Sequence, residues 1–441
     1  ANRSPNETQM QARVLNKITY PTGGFTNFEY EAHRHDGGQL AGGLRIKKTI
    51  SDDGNGKTIT KTYKYGLNES GDGIYRNVTP FTYKTTQSFD HPPVPFSAEN
   101  SPERMDYNYK QTTFSSAYIT PQSTSEGSPV TYNVVAEYED NGTGANGKTI
   151  YEYEQGNDDN LLMLTHTAKT FLRSQDWTRG QLLSKTIFGA DGKKKYKQIN
   201  SYQTLQSGNS ANFGYLTAKS KIQLSYYYEV AGCIYNYNEY TPMLAEYWHY
   251  GVKKLSKSEE FFYDDTDEDK YVYKKAETDY NPYYQPSEVR VINSDGDTRI
   301  KKYRYITDFN NLTLPALTGN ALAYSKMKEN NDLATPIEEL SLRKYASDNS
   351  IRVLGGKFTN FQVLNFASHN YTLPDSLFLL EIPESPTVSI GSFTNANVNA
   401  SKNVVKDSRY ANRISFDNYD SYGNLLDYKI DGGIKTSFTY S

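Results

Sequence analysis

Residues 16–65 read NKITYPTGGFTNFEYEAHRHDGGQLAGGLRIKKTISDDGNGKTITKTYKY, and the grammar of this stretch decides the fold. In Phe28 and Tyr30, and again in Ile59, Lys61, Tyr63 and Tyr65, bulky residues fall two apart with polar residues between them. That alternation is the signature of a strand with one packed face and one wet face. Gly23-Gly24 and Asp53-Gly54 supply the positive φ angles that tight reversals demand. The unit is therefore a β-hairpin, with four strands expected by Tyr65.

The same unit recurs downstream. Val130 to Tyr138 turns through Asn141-Gly142 and Asn146-Gly147 into Lys148 to Tyr153. Gly180 to Phe188 turns at Asp191-Gly192, Val289 to Ile292 at Asp295-Gly296, and Asn412 to Asp420 at Tyr422-Gly423-Asn424. One helix is expected, over Gly319 to Glu329, where Ala323 and Met327 lie four apart and Asn330-Asn331 ends the run. A shorter one is expected after Ser4-Pro5, with Ser4 as its cap and the proline in the first turn.

Composition agrees with a sheet. The 441 residues hold 40 Tyr against 19 Phe, which suits strands whose rings pack while their hydroxyls reach water or a neighbour. A mean hydropathy of -0.77 would suit a disordered chain, but 14% aromatic content and the strand periodicity argue for folding. With 48 Lys and Arg against 51 Asp and Glu, the net charge is -3, so no electrostatic footprint of a nucleic-acid partner exists. No run of about 18 apolar residues is present, and a transmembrane segment is not expected. The single Cys233 excludes an intrachain disulfide framework and is expected to be a packed thiol. The N-terminus lacks the basic-then-apolar pattern of a signal peptide, so either a signal was removed or the chain is a piece of a longer one.

His33-Arg34-His35-Asp36 could set two imidazoles on one strand face, but a zinc site needs a third or fourth ligand and none is close in sequence. Asp265, Asp267 and Asp269 alternate as calcium ligands do, yet Lys270 and Ala276 stand where an EF-hand requires Gly and Glu. A solvated acidic turn is the expectation. No nucleophile elbow, zinc-protease helix, phosphate loop or dinucleotide fingerprint occurs. The expectation is no enzyme, no catalytic residue, no cofactor and no metal. Tyr226, Tyr228, Tyr235 and Tyr237, spaced two apart, are expected to form a cross-strand aromatic ladder, with an outward-facing carbohydrate or peptide platform as the rival.

The run Lys17-Ile-Thr-Tyr-Pro-Thr-Gly-Gly-Phe, with Phe28-Glu-Tyr-Glu and Gly42-Gly43-Leu-Arg-Ile, resembles the RHS/YD-repeat proteins of Bacteroidota. Leu354-Gly-Gly-Lys-Phe and Leu377-Phe-Leu-Leu-Glu are similar to the same group, and Tyr419-Asp420 with Gly423 resembles its motif core. The resemblance implies stacked antiparallel hairpins in a long coiling sheet or shell. It implies an exported or cell-surface protein that encapsulates or delivers a domain absent from this sequence, a toxin in some members. The partner would be the rest of a longer chain or an associated surface or secretion protein. The cleavage motif that precedes a toxin in that family has no match here. Asp375-Ser376-Leu377 is similar to a site at which exported Bacteroidota proteins receive O-linked sugar. The alternative is an adhesin or carbohydrate- or protein-binding module using tyrosine-rich sheet faces.

In order, residues 1–15 are expected to be a lead-in, 16–383 the hairpin region, 384–402 a polar loop or linker, and 403–441 further YD-type hairpins. Within the hairpin region, the prolines between Thr79 and Arg104 predict an exposed excursion that contains His91.

Overall fold

The protein is described here by a computed structural model, which covers residues 4–76, 83–90, 108–115, 128–156, 159–162, 170–173, 175–209, 225–230, 233–238, 249–366, 369–382, 388–431 and 433–440. It is mainly β. Its largest sheet holds 18 antiparallel strands and is not closed into a barrel. The chain divides into two compact units, one of residues 1–195 and 204–253, the other of 196–203 and 254–441.

In the first unit the strands Lys17–Thr19, Phe25–His35, Gln39–Asp52, Thr58–Tyr65, Val134–Tyr138, Lys148–Tyr153 and Leu182–Phe188 pair each with the next. The second unit is a meander of the same kind. Its strands are His249–Tyr263 from Lys254 onward, Tyr271–Tyr280, Pro286–Ile292, Thr298–Tyr305, Pro336–Lys344, Ile351–Phe366, His369–Leu380, Tyr410–Tyr419, Leu425–Ile430 and Ile434–Ser437. Every one pairs with its neighbour in sequence.

One turn geometry builds six of the hairpins, at residues 20–24, 189–193, 281–285, 293–297, 399–403 and 420–424. In each, the first residue's amide donates to the fifth residue's carbonyl, and the fourth residue's amide donates back to the first carbonyl. The fourth residue carries a positive φ, from 64° at Tyr284 to 91° at Gly23. This is the three-residue hairpin loop that ends in a left-handed residue. Glycine holds that position in four turns, whereas Tyr284 and Lys402 hold it in two. Aspartates brace several of the turns: Asp191 accepts from the Lys193 amide, and Asp420 from those of Tyr422 and Asn424.

The main core lies in the second unit. The helix spans Gly319–Glu329 as the sequence predicts, with Asn330 as its C-cap and Asn331 left-handed, so that the Asp332 amide reaches back to the Met327 carbonyl at 2.9 Å. It lays Ala323, Tyr324 and Met327 against Phe358 and Phe361 of the sheet. The Tyr324 hydroxyl is satisfied 3.0 Å from the Thr359 carbonyl and from Asn360 Oδ1. On Pro336–Lys344, Glu338, Leu340 and Leu342 are buried while Glu339, Ser341 and Arg343 on the opposite face are not.

Glu338 is fully buried. Its carboxylate accepts the Ala396 amide at 2.9 Å and the Tyr410 hydroxyl at 3.0 Å, and burial pushes its pKa up. Residues 388–402, the described part of the stretch 384–402 expected as a polar loop or linker, thus contribute Val388, Ala396 and Val398 to the core and are pinned to the sheet through Glu338.

Three further expectations change. The N-terminal helix is only Glu7–Met10, and its cap is Asn6, whose Oδ1 accepts the Gln9 amide, not Ser4. The residues Val130 to Tyr138 split into Val130–Thr131 and Val134–Tyr138, the first pairing with Ile74–Tyr75. Within the proline-rich excursion, Tyr83–Asp90 is a strand paired with Asn108–Ser115, because its own eight residues are free of proline. His91 lies outside the described residues.

Two stability changes follow. Gly192→Ala has open space for its Cβ but keeps φ at 74°, and should lower unfolding free energy by about 1–2 kcal/mol in urea, whereas Lys402→Gly should raise it by up to about 1 kcal/mol. Tyr410→Phe strips a donor from the buried Glu338 carboxylate and should cost about 1–3 kcal/mol in the same assay.

Candidate binding surface

The strand Phe25–His35 carries His33 and His35 two positions apart, as a metal site on one face would need. Each imidazole is instead held by a tyrosine. His33 stacks on Tyr132 with centroids 5.8 Å apart, and its Nδ1 hydrogen-bonds the Tyr132 hydroxyl at 3.0 Å. His35 stacks on Tyr75 at 4.4 Å and meets Asp36 at 3.0 Å. Burial, aided by the charge of Arg45, lowers the His33 pKa to about 4.

Arg45 explains the cluster. Its guanidinium lies against two adjoining rings, Tyr65 at 4.4 Å and Tyr132 at 4.9 Å, pairs with Glu31 at 2.8 Å and donates to the Gly71 carbonyl at 2.6 Å. A buried cation kept by two ring faces, a carboxylate and a carbonyl is fully compensated. The neighbouring glycine loop is tied by the Gly37 and Gly38 amides to the Asp72 carboxylate, each at 2.9 Å. These groups knit distant strands together. Among the described residues, no three His, Cys, Asp or Glu side chains gather where a metal ion would sit.

In the acidic turn, Asp264 and Asp267 turn their carboxylates onto its own backbone. Asp264 accepts the amides of Thr266 and Asp267, Asp267 accepts that of Asp269, and Lys270 pairs with Asp267 at 3.1 Å.

The aromatic surface is more distinctive. Where His249–Tyr263 pairs with Tyr271–Tyr280, Phe261 lies opposite Tyr273 and Tyr263 opposite Tyr271. Phe261 is 5.2 Å from Tyr273 and 5.3 Å from Tyr271, and Tyr263 is 5.8 Å from Tyr271. Tilted and edge-on pairs of this kind stabilise a hairpin directly. The Tyr273 hydroxyl donates to Glu259 at 2.8 Å, which orients the ring. On the other face Phe262 and Val272 stand opposite each other, 46% and 60% exposed, with Tyr196 5.2 Å from Phe262. Tyr271 is 51% exposed. Apolar residues thus remain at the surface on both faces of this hairpin end.

Of the four tyrosines singled out by spacing, Tyr226 stands opposite Tyr237 and Tyr228 opposite Tyr235 in register. The burial of their rings, like the Cys233 thiol, lies outside the described residues. Ser376 is 6% exposed within a paired strand and donates to Asp375 at 3.0 Å. Its hydroxyl is inaccessible to a sugar-transferring enzyme once the strand has folded.

No family model matches the chain, and no curated protein matches it.

His33 supplies a pH test. Its folded pKa lies below the unfolded value of 6.5, so the unfolded state binds the proton first. The stability associated with neutral His33 is complete above about pH 6.5 and is lost as pH falls toward about 4. His33→Gln should flatten that part of a stability-versus-pH curve, and the wild-type imidazole should titrate near pH 4 by NMR.

Proposed function

We propose that the chain is a non-enzymatic β-hairpin scaffold of a large exported protein of the RHS/YD-repeat type. In this reading its hairpins contribute a shell or rod that encapsulates or delivers a domain outside this sequence, toxin-like cargo included. The partner is the rest of a longer chain or an associated surface or secretion protein, and the location is extracellular or on the cell surface.

The observation that carries the reading is the recurrence of one turn across six hairpins, joined to antiparallel ladders that link successive strands of the large sheet. A chain built so adds area by adding hairpins, which is the logic of a repeat scaffold. The Tyr-Asp pair gains a physical meaning in it. The Tyr419 hydroxyl bonds the Pro374 carbonyl at 2.7 Å, while Asp420 closes the turn that follows. A second reading, an adhesin or carbohydrate- or protein-binding module, is favoured by the exposed aromatic hairpin end at Phe262, Tyr271 and Val272.

Intact mass with terminal peptide mapping, on protein isolated from its source, separates the two. The scaffold reading expects a mass well above 50.1 kDa, with peptides from a further domain. A mass near 50.1 kDa would overturn the carrier role and leave the binding module.

A further inference from the structure

The run Asn-Gly-Lys-Thr-Ile occurs twice in the chain, at residues 55–59 and 146–150, each time leading into a strand, and Asn141-Gly142 is a third Asn-Gly pair. An asparagine followed by glycine can rewrite its own side chain. The amide nitrogen of the glycine, once it loses its proton, attacks the asparagine Cγ; a C–N bond forms, ammonia leaves, and a five-membered imide results. Water then opens the ring at either carbonyl, to give aspartate or an isoaspartate whose main chain runs through the former side chain. Glycine favours the attack because no Cβ obstructs the approach. Since two of the three runs are identical in sequence, the fold must decide between them.

At residues 146–150 both reacting groups are held. The Asn146 side-chain amide donates to the Glu139 carbonyl at 3.0 Å, and the Gly147 amide donates to the Gly144 carbonyl at 3.0 Å. Gly147 is also buried, packed so closely that a Cβ there would collide with the Phe188 carbonyl. At Asn141 the nucleophile is held by a carboxylate, for the Gly142 amide donates to Asp140 Oδ1 at 2.6 Å. An amide beside a negative charge gives up its proton reluctantly.

At residues 55–59 neither group is held. The Asp53 carboxylate braces this turn by accepting the Asn55 amide at 2.8 Å and the Lys57 amide at 3.1 Å, and it leaves out the Gly56 amide between them. Among the described residues no hydrogen bond reaches the Gly56 amide or the Asn55 side chain. Both residues are exposed, and nothing stands within 4 Å of the place a Gly56 Cβ would take. We infer that Asn55 is a site of spontaneous deamidation in the folded protein, and that Asn141 and Asn146 are protected from the same reaction by the turns that hold them. The product carries a new negative charge at the tip of the hairpin that joins Gln39–Asp52 to Thr58–Tyr65. As isoaspartate it also adds one atom to the backbone of a loop whose length sets Asp52 opposite Thr58. None of this depends on the scaffold reading.

Mass spectrometry on the full chain, aged in mildly alkaline buffer and read residue by residue with fragmentation that separates aspartate from isoaspartate, tests it. In the folded protein Asn55 should gain one mass unit at least tenfold faster than Asn141 or Asn146. In urea, where only the shared sequence remains, Asn55 and Asn146 should convert at similar rates. Asp140→Ala, which releases the Gly142 amide, should speed conversion at Asn141 severalfold and leave Asn55 unchanged. Three outcomes would overturn the inference: no difference between Asn55 and Asn146 in the folded chain, a difference that persists undiminished in urea, or an Asn141 that stays as slow in Asp140→Ala as in the wild type.

Discussion

A carbonyl that accepts an amide three residues later, with the donor residue forced into the left-handed region, is the constraint on which this structure depends. The turn fixes how far apart two strands begin and which of their residues stand opposite each other. Once it closes, the alternation of side chains decides which face is buried. At residues 293–297 it sets Ile292 against Thr298, and two positions along Arg290 meets Ile300, whose side chain enters the core. A slip of one residue would turn Ile300 outward.

The hairpins are nonetheless not equivalent. Those that meet the helix Gly319–Glu329 and residues 388–405 acquire an apolar core and a buried Glu338. Those around Arg45 are held instead by a cation set against two adjoining rings and by histidines set against tyrosines. At the Phe261 to Tyr273 hairpin the rings pack on one another across the strand pair. A tyrosine-rich sequence can build all three because the residue is at once apolar surface, π-face and hydrogen-bond donor.

Much of this was legible in the sequence. Glycine after aspartate or asparagine marked the reversals, and period-two alternation marked the strands. Ala323, Met327 and Asn330-Asn331 marked the helix because a cap and a repeat of four are local signals. What stayed hidden was either non-local or atypical. Tyr284 and Lys402 occupy a position that glycine usually advertises. Arg45 depends on Tyr132, 87 residues away in sequence. Residues 384–402 looked like a linker because small side chains such as Ala396 fill a core without a hydrophobic run.

Ladders that join only sequence neighbours also govern how the second unit responds to tension. A pull along the chain from Ser437 back toward Tyr410 meets the hydrogen bonds of one hairpin before it reaches those of the next. The backbone bonds then open in sequence, like a zip, and are never sheared all at once. Resistance rises where the pull reaches Tyr410 and its bond to Glu338, since that bond ties the peeling strand to the core. The buried carboxylate thus marks a mechanical boundary between hairpins that peel singly and a body that must yield as a whole.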